Sequence, residues 1–264
     1  MYESVKLRTK CGNIICGLAD FERFSADRIV SLSGVWENPA GTLCKAGSST
    51  VAFTVDDLFV KCSPARNFKR ALSRCFRISR AMRNLKMSAV LLEMGIPTPR
   101  VLCAVREKRH FLPVCDFLVT EKLSADAVTF GNACAPTQRE EFFFLGCALL
   151  KKMHDARICH GDASVRNFYI GKENGSAVLG VIDLDACRIV PPFAGKRVFV
   201  KEDARFISSF IITTGAQETF DAVNDICLRF LQLHGTSADT AEEYLQNLLK
   251  YTFIYLKKTR RYSK

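Results

Sequence analysis

The chain has no CxxC pair and no cluster of alternating cysteine and histidine, although twelve cysteines are spread along its 264 residues. A metal site of zinc-finger spacing is therefore not expected. No apolar segment follows Met1, where Tyr-Glu-Ser-Val-Lys6 stands. Export is not expected, and the cysteines read as reduced, small core residues of a cytoplasmic protein. Long apolar runs are missing as well. The longest, Phe142 to Leu150, has nine residues and ends at Lys151-Lys152, whereas a bilayer span needs about 20; it reads as a helix core. Tryptophan occurs once against 20 phenylalanines. Those phenylalanines sit mostly at helical core spacing, so a base-stacking surface, and with it a nucleic-acid partner, is not expected. Acid is absent from Lys61 to Lys86, a stretch that holds nine Lys and Arg.

What is present suits a folded protein with an anionic partner. Hydrophobic residues make up 48% and charged residues 25%, which argues against long disorder. The net charge of +11 biases the protein toward an anionic partner, whether nucleic acid, phosphorylated sugars or an acidic lipid surface, without choosing among them. Surface helices normally interleave signs, so the acid-free stretch 66–86 reads either as a solvated face or as a seat for a polyanion. A second basic cluster, Lys257, Lys258, Arg260, Arg261 and Lys264, closes the sequence.

From Gly41 to Lys61 the pattern predicts strand, small-residue turn, strand, Asp56-Asp57 turn, strand. Apolar residues at Phe68, Leu72, Cys75, Phe76, Met82, Leu85 and Ala89 then predict one amphipathic helix, stopped by Gly95-Ile-Pro-Thr-Pro99. Strands follow at 101–105 and 117–120. The chain is expected to divide into an N-lobe, 1–121, and a C-lobe, 122–264. The C-lobe opens with a helix from about Gln138 to Asp155, continues through His160-Gly-Asp-Ala-Ser-Val-Arg-Asn167 and a strand–turn–strand ending at Asp183, and then turns helical around 203–213, 218–234 and 239–257.

Phosphoryl transfer asks a protein for a carboxylate at the acceptor hydroxyl, oxygen ligands for magnesium and a cation on the nucleotide phosphates. Asp162 stands in a loop after a helix. Asn167 follows five residues later, and Asp183, at the end of an apolar strand, sixteen after that; a hairpin would bring it back beside the loop. Lys61, on the third strand of the meander, can reach the α- and β-phosphates.

The pattern HGDxxxxN with an apolar strand ending in IDxD resembles the catalytic and metal-binding segments of the protein-kinase-like superfamily. Within it, the chain is similar to the lipopolysaccharide core heptose/Kdo kinase family of Gram-negative bacteria. The likeness is carried by Leu58-Phe-Val-Lys61, Gly95-Ile-Pro-Thr-Pro99, Val119-Thr-Glu-Lys-Leu123, Met153-His154, His160 to Phe168 and Ile182-Asp-Leu-Asp-Ala186. It implies an α+β, bilobal kinase-like fold, with a small antiparallel-sheet N-lobe and a mostly helical C-lobe. It further implies ATP and Mg2+ as cofactors, Asp162 as catalytic base, Asn167 and Asp183 as magnesium ligands, and Lys61 on the ATP phosphates. Gly47 and Ser48 would cover those phosphates, and Thr120 to Leu123, with Glu121 and Leu123, would form the hinge at adenine. Arg166 would steady the γ-phosphate or the acceptor, or pair only within the loop; Asp185 would touch a second metal or cap the loop. The family has an acid pairing the strand lysine, and here Arg83 and Asn84 stand at its position.

The function so implied is phosphorylation of a heptose or Kdo hydroxyl on the lipopolysaccharide inner core, by a cytoplasmic protein peripheral to the inner membrane. Partners would be the lipopolysaccharide core or another anionic glycolipid, with 66–86 on the membrane surface. The alternatives are a small-molecule or protein kinase of the aminoglycoside or RIO-like type, and a lipid-binding pseudokinase.

Overall fold

Along Leu58–Pro64 every second side chain from Leu58 to Cys62 is buried, while Phe59 and Lys61 are half-buried. This period of two marks a strand with one face in a core. In the computed structural model, that strand lies inside a seven-stranded antiparallel sheet. The strands are β1 (Glu3–Arg8), β2 (Ile14–Ala19), β3 (Thr42–Ala46), β4 (Val51–Val55), β5 (Leu58–Pro64), β6 (Val101–Arg109) and β7 (Leu112–Glu121), in the order β1-β2-β6-β7-β5-β4-β3. The structure describes all residues except 40, 48, 125–126, 131–137, 174–175, 196, 235–237 and 263–264, and also leaves aside the side chains of 173, 176, 238–240 and 260–262. Ser48, the 174–175 turn and the basic side chains at 260, 261 and 264 therefore lie outside the described residues.

The chain forms two compact units, Met1–Leu123 and Ser124–Lys264. In the first, one face of the sheet buries Phe53, Val60, Cys62, Val105, Phe117 and Val119 with Ile29 of a short helix, α1 (Ala26–Ser31). The other face packs Val101, Ala104 and Leu118 against Ala81 and Leu85 of α3 (Arg80–Glu93). The 1–40 region, for which the sequence pattern gave no assignment, supplies β1, β2 and α1.

One expectation is corrected. The basic stretch 66–86 is two helices, α2 (Phe68–Cys75) and the start of α3, not one. Ser79 is extended and its Oγ accepts from Met82 N at 3.0 Å, so it caps a new helix, a device worth about 1 kcal/mol. The end of α2 is held separately. The Arg106 guanidinium donates to the carbonyls of Arg74 at 2.9 Å and Arg77 at 3.2 Å, while pairing with Asp116 at 2.6 Å. The break turns Phe68 and Phe76, expected in the core, out to solvent at 67% and 87% exposure.

The second unit is built on phenylalanine. On α4 (Arg139–Asp155) and α5 (Arg197–Thr214), Phe143 and Phe210 have ring centroids 4.8 Å apart, and Phe206 meets Phe168 edge-on at 5.4 Å. Gly146 sits in the apolar run of α4 because a Cβ there would lie 2.2 Å from the Phe206 ring. Two more helices, α6 (Phe220–His234) and α7 (Ala238–Tyr262), complete the layer. The two-residue strand β8 (Val128–Thr129) precedes α4 in sequence, and between α4 and α5 come the two-residue strands β9 (Ile158–Cys159) and β12 (Arg188–Ile189) and the hairpin β10 (Phe168–Glu173) and β11 (Ser176–Val181). β9 pairs with β12, and β8 with β10.

Candidate active site

The loop from His160 to Asn167 is anchored from below by one buried carboxylate. Glu202, on α5, accepts from Gly161 N at 2.6 Å, His160 N at 3.1 Å and Cys159 Sγ at 3.2 Å. Its Oε2 also lies 3.0 Å from His154 Nε2. Burial raises the Glu202 carboxyl, but the hydrogen bond and charge of His154 outweigh it and hold the group below the usual range. A buried acceptor taking consecutive backbone N–H groups fixes the path of the chain on either side of Gly161.

Gly161 is required where it stands. Its φ is +80°, and a Cβ would meet the Ala186 carbonyl oxygen at 2.5 Å. The loop bearing Asp162 thus runs against the turn that follows Asp183. His160 Nε2, 3.0 Å from the Ile182 carbonyl, closes the same contact from the other side. That histidine braces the loop against the segment leading to Asp183.

Asp162 carries two cations. Arg205 of α5 reaches its Oδ1 with Nε at 2.6 Å and also through Nη2, and Arg166 Nη2 stands 3.8 Å from its Oδ2. Asn167, buried, donates from Nδ2 to the Asp162 carbonyl at 2.8 Å. That bond closes the loop and commits the amide nitrogen, so the carbonyl oxygen is the end of Asn167 left to act as a ligand. The β10–β11 hairpin pairs Phe168 with Val181, and Ile182 N donates to the Asn167 carbonyl at 2.9 Å. Asp183 is therefore one residue from direct cross-strand register with Asn167. It is exposed, with φ 59° and ψ 60° in the left-handed region that aspartate tolerates better than most residues. Asp185 lies in the 3-10 turn Leu184–Ala186 that follows. An amide oxygen and a carboxylate are hard donors, the kind magnesium prefers.

In the first unit, Lys61 pairs across β5 and β7 with Leu118. Directly opposed residues point to one face, and Leu118 belongs to the face covered by α3. Lys61 is half-buried there. On α3 itself Arg83 is exposed and Asn84 is buried at 4%, its Nδ2 donating to the Arg80 carbonyl at 3.3 Å. Glu93 is exposed at the helix end. Gly47 lies in the β3–β4 turn, its N–H donating to Thr50 O at 2.9 Å and its carbonyl accepting from Arg66 at 3.1 Å. Glu121 ends β7 and pairs with Arg23 at 2.8 Å, and Leu123 is the last residue of the unit.

Two residues of the second unit escaped the sequence reading. Glu202 and Arg205 look like ordinary charges on a helix; only their spacing of three, which sets them on one face of α5 beside the apolar Phe199 and Phe206, hinted at a shared neighbour.

Two solved structures share this architecture. WaaP in complex with acyl carrier protein matches over 84% of this chain and 88% of its own at a TM-score of 0.53 and 18% identity. An aminoglycoside-3'-phosphotransferase of type VIII matches over 86% of this chain and 98% of its own at 0.51 and 14%. The fold is thus protein-kinase-like, α+β, with an antiparallel sheet followed by a mainly helical unit. Residues 42–206 match the model of the Lipopolysaccharide kinase (Kdo/WaaP) family. The chain belongs to that family. A curated relative, 3-deoxy-D-manno-octulosonic acid kinase of Mannheimia succiniciproducens, is 28% identical over 98 residues, 37% of this chain. That alignment spans 40% of the relative's length.

Proposed function

We propose that the protein is a lipopolysaccharide kinase that transfers the γ-phosphate of ATP to a heptose or Kdo hydroxyl of the inner core, with Mg2+, at the cytoplasmic face of the inner membrane. The observation that carries this reading is the closed loop in which Asp162, Asn167 and the hairpin bearing Asp183 are bonded into one frame. Asp162 orients the acceptor hydroxyl and takes its proton. Arg205 holds that carboxylate in place, and Arg166, 70% exposed, is available to the γ-phosphate. The Asn167 and Asp183 oxygens hold Mg2+, which when bound neutralises charge on the nucleotide phosphates. Lys61 binds the α- and β-phosphates, Gly47 lies over them, and Glu121 to Leu123 carry the adenine.

The membrane part of the proposal rests on α2 and the break after it. Phe68, Leu72, Phe76 and Ile78 are exposed, set among Lys69, Arg77, Arg80 and Arg83 with no acid between. Apolar side chains ringed by cations fit an interface of acidic headgroups. Among the described residues no helix is long and apolar enough to cross a membrane.

The test is mass spectrometry of core oligosaccharide from cells with and without the protein, beside ATP turnover on purified core and on an aminoglycoside panel. A core that loses one phosphate when the protein is absent, with turnover on core alone, is expected. Turnover on aminoglycosides but not on core would move the protein to the small-molecule branch, and ATP binding with turnover on neither would make it a pseudokinase.

A further inference from the structure

Apart from the Asp162 loop, the helical unit buries a second polar group. His154 on α4, Asp203 on α5 and His234, the last residue of α6, each offer one ligand atom, and these atoms lie within 4.8 Å of one another. His154 and Asp203 are buried, at 8% and 0% exposure. Three of the buried polar atoms without a hydrogen-bond partner among the described residues are His154 Nδ1, Asp203 Oδ1 and His234 Nε2. The first two stand 3.6 Å apart.

The outward atoms of the same side chains are committed. His154 Nε2 faces Glu202 Oε2 at 3.0 Å, so in the neutral ring Nε2 carries the proton and Nδ1 the lone pair. The Tyr244 hydroxyl of α7 donates to Asp203 Oδ2, leaving Oδ1 to point at the histidines. A ligand imidazole held by a carboxylate, and a ligand carboxylate held by a hydroxyl, are the outer partners that orient protein metal sites. Buried polar atoms are otherwise nearly always paired.

We infer that His154 Nδ1, Asp203 Oδ1 and His234 Nε2 form a structural transition-metal site, suited to Zn2+, that ties α4, α5 and α6 together beneath the Asp162 loop. Two imidazoles and one carboxylate match zinc and disfavour magnesium. Zinc bonds of about 2.0 Å put tetrahedral ligands about 3.3 Å apart, which a small swing of His234 from the helix end supplies. A water or a proton shared by His154 and Asp203 is the competing occupant. The site is independent of the proposed catalytic role, and its load passes to the loop through Glu202.

The test uses the untagged full chain, stripped with chelator and kept in millimolar Mg2+. One equivalent of Zn2+ should raise the melting midpoint by several degrees, and one of Co2+ should give tetrahedral visible bands without a near-ultraviolet thiolate band. His234→Gln, altered at a half-buried helix end, should melt like the wild type without metal, yet lose the metal-induced shift and at least tenfold in affinity. X-ray absorption of the wild-type zinc form should show nitrogen and oxygen neighbours and no sulfur, a readout that needs no variant to fold. Equal zinc uptake by wild type and His234→Gln, sulfur neighbours, or no uptake by the wild type would each overturn the site, the last leaving water or a proton as its occupant.

Discussion

At Asp162 the two arginines divide the work. Arg205 grips Oδ1 from α5, whereas Arg166 stands at 3.8 Å and 70% exposure on the loop itself. Under the proposed mechanism, Asp162→Ala abolishes transfer while Mg-ATP binding survives, because the carboxylate acts on the acceptor. Turnover within a few-fold of wild type would remove Asp162 from the chemistry. Arg205→Ala should lower kcat by about ten- to a hundredfold with the KM for ATP unchanged, since a displaced base costs rate and leaves nucleotide contacts alone. Partial recovery in Arg205→Lys would mark it as a positioning residue, and a raised KM with normal kcat would contradict that. Asp183→Asn isolates charge from backbone, as asparagine also accepts the left-handed conformation. It should remove Mg-dependent nucleotide binding, and calorimetry with unchanged affinity would argue against the ligand role.

At the scale of elements, the break between α2 and α3 decides what the basic stretch presents. A single helix would have buried Phe68 and Phe76; the Ser79 cap and the Arg106 clamp instead expose them beside Arg77 and Arg80. Arg74 is not part of that surface, because it is half-buried and donates to the Ser63 carbonyl at 2.5 Å. Each cation near an anionic surface contributes about 1 kcal/mol at low salt. Changing Lys69, Arg77, Arg80 and Arg83 to glutamate should therefore release the protein from anionic vesicles in co-sedimentation, and salt should do the same to the wild type. Activity on a lipid-free core acceptor should persist. Equal sedimentation of both proteins would mean that the face is simply solvated.

Over the whole molecule, the two units bury separate sets of thiols. Cys62, Cys103 and Cys115 lie in the sheet unit, and Cys147, Cys159, Cys187 and Cys227 in the helical one. Burial pushes Cys103, Cys159, Cys187 and Cys227 up to about 12, so alkylation waits for unfolding. Glu202→Ala strands His154 and two backbone N–H groups and should cost the helical unit about 3–5 kcal/mol. Pulsed alkylation read by mass spectrometry should then show the helical set labelling faster and the sheet set at its wild-type rate. Acceleration of both sets together would show that the units unfold as one.

The sequence by itself determined many of the elements and their kind, but not β1, β2 and α1 or the break between α2 and α3. Alternation at 51–63 wrote the β4 and β5 strands, the three-and-four spacing of Phe142, Leu145, Leu149 and Met153 wrote α4, and the order HGDxxxxN then IDxD, with the lysine strand before it, pointed to the family. These signals are local or periodic, and a backbone follows them over a few residues. The tertiary structure decided what depends on partners far along the chain. Arg106 reaches back about thirty residues to end α2, Glu202 forward-anchors a loop more than forty residues before it, and Arg205 does the same for Asp162. No period in the sequence encodes such pairings, because a charged residue on a helix looks the same whether it faces water or a buried N–H. The grouping of His154, Asp203 and His234 arose in the same way, from three helices whose separate patterns required only that their apolar faces meet.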